Sequence, residues 1–229
     1  MAIKLCVLFG GVSPEHEVSL RSAESILGRL DPRTYEIYPV GITREGKWIY
    51  FAKTDWSMLP ADTWETAPGN CPAAISPARG QGLLLWRETG VEEIPLDCVF
   101  PVLHGPGGED GSVQGLLEVV GVPYVGCKVL GSALAMDKAV TKAKLRQAGI
   151  PVCDWFPYLK EELEDGLDQA VLDMEEMFGY PLFVKPSSAS ASIGVTKAKD
   201  LRMAHSMHSM HCTVCTQCAH TVCTQYALG

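Results

Sequence analysis

"IKLCVLFGGVSPEHEVSL", residues 3–20, carries the architecture in miniature. Residues 3–9 are apolar apart from Lys4 and end on Gly10-Gly11, which predicts a buried parallel strand. Ser13-Pro14 then opens a helix predicted over 15–30, whose first turn carries Glu15, His16 and Glu17. A second strand is predicted over 35–41. Strand, crossover helix and strand make a βαβ unit at the start of an open α/β sheet. Ligands bind such sheets at the carboxyl ends of their strands, where this acidic helix mouth falls. The two glycines allow close approach, and the helix presents its positive end there. Ser-Pro-Glu is equally an ordinary helix start, with Glu15 complementing the dipole. The Gly-x-Gly-x-x-Gly pattern of nicotinamide-binding strands is absent.

The chain has 229 residues, 47% of them hydrophobic, enough for one or two domains with real cores. A net charge of −8 argues against a nucleic-acid surface or an anionic-membrane surface. The first apolar run reads as a strand rather than a signal peptide, and no run approaches a membrane span. A soluble cytoplasmic protein is the expectation. Of nine cysteines, Cys6, Cys71, Cys98, Cys127 and Cys153 are scattered singly, as small buried hydrophobes are. The other four crowd into residues 212–223.

Further strands are predicted over 46–52, with Trp48 and Tyr50 on one side, and over 83–86, 97–101, 123–125, 154–158 and 181–184. Helices are predicted over 112–120, 132–148 and 165–178. Residues 57–82, rich in Pro, Gly, Ala and Thr, read as surface connections. Gly149-Ile150-Pro151 is a helix stop, and a change of unit falls near it.

Three later stretches carry chemistry. "FPVLHGPGGEDGSVQGLLE", residues 100–118, puts His104, a glycine-rich turn and Glu109-Asp110 at a strand's end. "SALAMDKAVTKAKL", residues 132–145, spaces Lys138 and Lys142 four apart, a pattern that a solvated helix face also gives. "YPLFVKPSSASASIGV", residues 180–195, delivers Lys185 at the end of an apolar strand, followed by a Ser/Ala loop. A lysine there is costly unless it meets an anion or snorkels out, and the loop's N–H and hydroxyl groups suit a phosphate.

In this order, "GGVSPEHEVSLRSA", "LHGPGGEDGSVQGLLE", "PYVGCKVLGSALAMDKAVTK" and "PLFVKPSSASASIGV" resemble the D-alanine–D-alanine ligases of the ATP-grasp superfamily. The likeness runs from about residue 3 to about residue 197. It implies an α/β fold: an open, mostly parallel N-terminal sheet over 1–130, then a truncated ATP-grasp domain over 131–200. It also implies ATP-dependent joining of two D-alanines through an acyl phosphate, with Mg²⁺, for peptidoglycan. Relatives that join D-alanine to D-lactate or D-serine share the pattern. Matched by position, Glu15 corresponds to the carboxylate that receives the first D-alanine's ammonium, and His104 to a histidine near that substrate. Lys138 and Lys185 correspond to lysines on the ATP phosphates. Ser192 belongs to the lid over the terminal phosphate, beside the family's catalytic serine position, and is the catalytic and phosphate-binding candidate kept there. A homodimer formed through the N-terminal region is likewise implied.

Two departures are visible. Where the family lid reads Gly-Ser-Ser, this chain has Ser190, Ala191 and Ser192, so the serine usually given a catalytic role falls on Ala191. After residue 200 nothing resembles the family's remaining portion, which carries its adenine-binding segment, an arginine and the Mg²⁺ carboxylates. Residues 203–229 contain no Asp, Glu, Lys or Arg, and "HSM" and "TVCTQ" each occur twice. Cys212, Cys215, Cys218 and Cys223 with His211 and His220 lack a second properly spaced ligand pair for zinc. Residues 201–229 are expected to be a disordered low-complexity tail, and the chain a catalytically inactive fragment in its own right.

Overall fold

The computed structural model describes residues 2–189, 192–200, 202–203 and 212–216, the last as backbone. The chain divides into two compact units, Met1–Ala133 and Leu134–Gly229.

The first unit is a seven-stranded sheet in the order β6-β5-β4-β3-β2-β1-β7. β1 (Ile3–Gly10) and β2 (Tyr35–Ile42) run parallel across α1 (His16–Leu27), which confirms the βαβ unit. β7 (Cys98–Pro101) pairs parallel with the other side of β1 and leads toward α2 (Ser112–Val120). β3 (Trp48–Tyr50), β4 (Cys71–Ile75), β5 (Leu83–Arg87) and β6 (Gly90–Ile94) add an antiparallel meander beyond β2. Parallel pairing is thus confined to β2-β1-β7 and a bridge from Val99 to Tyr124, and the sheet as a whole is mixed. From β2 to β6 no α-helix crosses over the sheet, and the strands there return antiparallel through turns and the 51–70 loop.

β1 lies between β2 and β7, one strand in from the sheet edge, and its alternate residues feed two cores. Leu5, Val7 and Phe9 meet Leu20, Ala23 and Leu27 of α1, spaced as one helical face. Cys6 and Leu8 meet Val113, Leu117 and Val120 of α2 on the other side. Trp48 and Tyr50 both pack on that second core, as their two-residue spacing predicts. Residues 57–82 are not merely surface connections: they contain β4, and they bury Leu59 and Trp64 completely. Trp64 stands edge-on to Phe9 at 5.1 Å between ring centroids.

In the second unit, β8 (Trp155–Tyr158), β9 (Leu182–Pro186), β10 (Thr196–Ala198) and β11 (Cys212–Thr216) form an antiparallel sheet in the order β10-β9-β11-β8. α5 (Lys160–Phe178) lays Leu163, Ala170, Val171 and Met174 against Tyr158, Leu182, Val184 and Ala198. The expected disorder of 201–229 does not hold at β11, which pairs with both β8 and β9. Its β-branched Thr213, Val214 and Thr216 suit a strand despite the repeat. The other cysteines and histidines of that stretch lie outside the described residues.

The helix expected over 132–148 is two: α3 (Val129–Met136) and α4 (Lys138–Gln147). Asp137, in an extended conformation, accepts from the backbone N–H groups of Ala139 and Val140, both at 2.9 Å. This cap ends one helix and starts the next. Asp137→Ala is expected to destabilise the second unit by about 1 kcal/mol, read from denaturant unfolding. No described helix is long and apolar enough to cross a membrane.

Candidate active site

β1 lies between β2, reached through α1, and β7, so the carboxyl ends of β1 and β7 flank the point where the chain's course over the sheet changes side. Ser19 of α1 stitches these ends together. Its hydroxyl accepts from Gly10 N–H at 2.8 Å and donates to the carbonyl of Val102.

Glu15 is the residue before α1 and is 2% exposed. The Ser13 hydroxyl donates to Glu15 Oε2 and accepts from the Glu15 backbone N–H at 3.0 Å. Glu15 Oε1 has no hydrogen-bond partner among the described residues. A buried carboxylate oxygen without a donor costs stability in the empty protein, so this geometry suits an incoming cation.

The glycine loop after β7 folds over the same group. Gly105 adopts φ +72, and a Cβ there would fall inside contact with Glu15 Oε2 and 2.5 Å from Ser13 Oγ. Only a glycine lets this backbone pass so close to the carboxylate. Gly105 N–H donates to Glu109 Oε2 at 2.7 Å, and buried Gln114 donates from Nε2 to Gly108 O at 2.8 Å. Burial pushes the Asp110 carboxyl up. Backbone donors at Gly107 (2.8 Å) and Ser112 (2.9 Å) outweigh it and leave Asp110 below its ordinary value. His104 lies 3.0 Å through Nε2 from Ser22 Oγ, and its Nδ1 is 3.9 Å from Glu109 Oε1. Glu15 and the His104–Gly105 step therefore meet at one strand edge.

In the second unit, Lys138 opens α4. Its backbone N–H donates to Ser187 O at 3.0 Å, and its ammonium donates to Ala189 O. Lys185 is the penultimate residue of β9, half-buried, with its ammonium 5.7 Å from the Phe183 ring centroid. The start of α4 is thus tied to the loop that follows Lys185. Ser192 is exposed at φ 61, while Ser190 and Ala191 lie outside the described residues. Lys142, the other lysine of the helical pair, reaches Cys153 O at 3.5 Å and lies over Trp155.

The sequence did not single out Ser13, Ser19 or Ser22. Their only signal is spacing: Ser13 sits two residues before Glu15, and Ser19 and Ser22 lie along the helix toward the β7 end.

The description "D-ala D-ala ligase N-terminus" matches residues 4–127, and "D-ala D-ala ligase C-terminus" matches residues 144–210. A D-alanine–D-alanine ligase of Thermoanaerobacter sp. (strain X514) is 46% identical over 195 residues, 85% of this chain and 53% of that protein. One from Caldicellulosiruptor bescii is 42% identical over 205 residues, 86% of this chain and 54% of its own length. The chain spans about half the length of these curated relatives. Among solved structures, the VanG D-Ala:D-Ser ligase of Enterococcus faecalis superposes with a TM-score of 0.78 at 35% identity, covering 93% of this chain and 62% of that one. The D-alanine–D-alanine ligase of Coxiella burnetii gives 0.77 at 32%, covering 94% and 62%. The matched motifs, the fold and these relatives agree, and the chain belongs to the D-alanine–D-alanine ligase family.

Proposed function

We propose that this chain supplies the D-alanine pocket and the phosphate-binding lysines of an ATP-dependent ligase that joins two D-alanines. The observation that carries the reading is Glu15: buried, fixed by Ser13, and with one oxygen that lacks a donor. The ammonium of an amino acid supplies that donor and balances the charge, which makes the buried pair tolerable. His104, held by Ser22 beside the loop that covers Glu15, borders the same substrate.

The reaction then proceeds in two steps. The carboxylate of the first D-alanine attacks the γ-phosphorus of ATP, the bond to the β-phosphate oxygen breaks, and ADP leaves. The amine of the second D-alanine attacks the acyl phosphate carbonyl, loses a proton and expels phosphate. Lys138 and Lys185 offset the charge on the phosphates. The Lys138 ammonium also donates to Ala189 O, which ties this lysine to the loop that follows Lys185. Mg²⁺ is the expected counterion, and among the described residues the second unit holds no group of three metal-ligating side chains. Cytoplasmic location and a homodimer belong to the same proposal.

The similarity to a D-Ala:D-Ser ligase favours a second acceptor, so the assay has three arms. Phosphate release is measured with ATP, Mg²⁺ and D-alanine, then with D-serine or D-lactate added. If the ligase reading holds, release is expected with D-alanine alone, and no release with any acceptor would leave the inactive-fragment reading. Release only with D-serine or D-lactate would move the reading to those relatives. Lys185→Met is expected to weaken ATP binding about tenfold or more, the size of a lost charge-assisted hydrogen bond. Unchanged binding would remove Lys185 from the phosphate site.

A further inference from the structure

The reading above uses Glu15 but not the next residue. His16 is fully buried, and its Nδ1 lies 2.7 Å from Gly11 O. A carbonyl can only accept, so Nδ1 carries a proton, and Nε2 is the ring atom turned away from Gly11 and open to a further partner. Nε2 has no hydrogen-bond partner among the described residues, and it faces Asp62 Oδ1 at 4.0 Å. Glu65 completes the group: one ligand atom from each of His16, Asp62 and Glu65 lies within 4.8 Å of the others.

A lone pair and a carboxylate repel unless a positive charge stands between them. A shared proton needs a separation below about 3.2 Å, which 4.0 Å exceeds. Nitrogen and oxygen ligands each about 2.1 Å from one tetrahedral ion stand about 3.4 Å apart, so the part-exposed Asp62 side chain needs to close by only about 0.6 Å to share an ion with His16. The outer contacts also match those of built metal sites. The ring's second nitrogen donates to a backbone carbonyl, and Asp62 is held through its other oxygen by Arg44 at 3.2 Å. Arg44 also reaches Glu17 at 3.4 Å, so the remaining charges around the cluster are accounted for by Glu17 and Arg44.

We infer that His16, Asp62 and Glu65 form a binding site for a first-row transition dication of the Zn²⁺ class, with water completing the coordination. One imidazole and two carboxylates suit Zn²⁺ or Co²⁺ better than Mg²⁺, which prefers oxygen alone. The ion ties the first turn of α1, one residue from Glu15, to the segment that buries Trp64. It holds the D-alanine end of the pocket and takes no part in phosphoryl transfer.

The test is titration of the whole chain with Co²⁺ alone, followed by visible absorption. The free thiols of the chain compete for any soft metal, and thiolate ligation announces itself by an intense sulfur-to-cobalt charge-transfer band. The expected result is one tight Co²⁺ with weak nitrogen/oxygen-type bands and without charge transfer, weakened tenfold or more in both Asp62→Asn and Glu65→Gln. Both positions lie outside the fully buried core, so these variants fold, and His16→Ala is not needed. Thiolate-type absorption only, or the same affinity in both variants, overturns the site. Loss of D-alanine binding in Glu15→Gln with Co²⁺ binding intact keeps this inference separate from the ligase reading.

Discussion

Gly105→Ala is expected to abolish D-alanine binding and to lower the stability of the first unit by about 2 kcal/mol. The added methyl lands inside contact with Glu15 Oε2, 2.7 Å from Glu15 Cδ and 2.5 Å from Ser13 Oγ. Real Cβ atoms essentially never come closer than 3.0 Å. Glu15 has no room to retreat, since it is buried and held by the Ser13 hydroxyl. The loop must therefore lift or the carboxylate must turn, and either change spoils the pocket. The conformation adds its own strain, because φ +72 is a left-handed value. Gly107→Ala is the control. Its φ of +85 carries similar strain, but a Cβ there meets nothing within 4 Å. Chemical denaturation and D-alanine titration of the two variants separate strain from steric invasion. Equal effects in both would show that contact with Glu15 is unimportant.

Trp64→Ala is expected to cost about 3–5 kcal/mol, a large share of a domain's stability. Trp64 is fully buried, packs edge-on to Phe9 of β1, and lies against Gly41 of β2, where any Cβ would strike its ring. Removing it opens a cavity beneath β1 and β2, next to the residues that end in Gly10 and Ile42. Urea unfolding followed by circular dichroism measures the loss. A change below about 1 kcal/mol would mean that the 57–67 segment is not part of the core.

The two predictions mark what the sequence did and did not make legible. Residues 3–9, 15–30 and 35–41 announced β1, α1 and β2 because one apolar run, one amphipathic period and one cap agreed. Residues 112–120 appeared as α2 with the predicted bounds for the same reason. Trp64 and β4 stayed hidden, since Pro72, Ala73 and Ala74 carry little strand propensity and pairing with β3 and β5 supplies the rest. The break at Asp137 was masked by an alanine-rich period that continues on both sides. β11 was obscured by repetition: local composition said little, while two flanking strands left a place for it.

The site divided in the same way. Glu15 and His104 could be found from glycine-flanked strand ends, and the structure places them at one edge. Lys138 could not be separated from a solvated helix face by spacing, because its distinguishing contacts, to Ser187 and Ala189, come from far along the chain. Asp62 is a tertiary partner of His16 that no local pattern reveals.

Calorimetric titration of D-alanine into the whole chain and into Glu15→Gln addresses the buried carboxylate directly. Loss of at least about thirtyfold in affinity, with the fold unchanged by circular dichroism, is the expected result, since breaking one side of a buried charge pair costs about 2 kcal/mol or more. An amide that binds D-alanine as tightly as the carboxylate does would contradict the account.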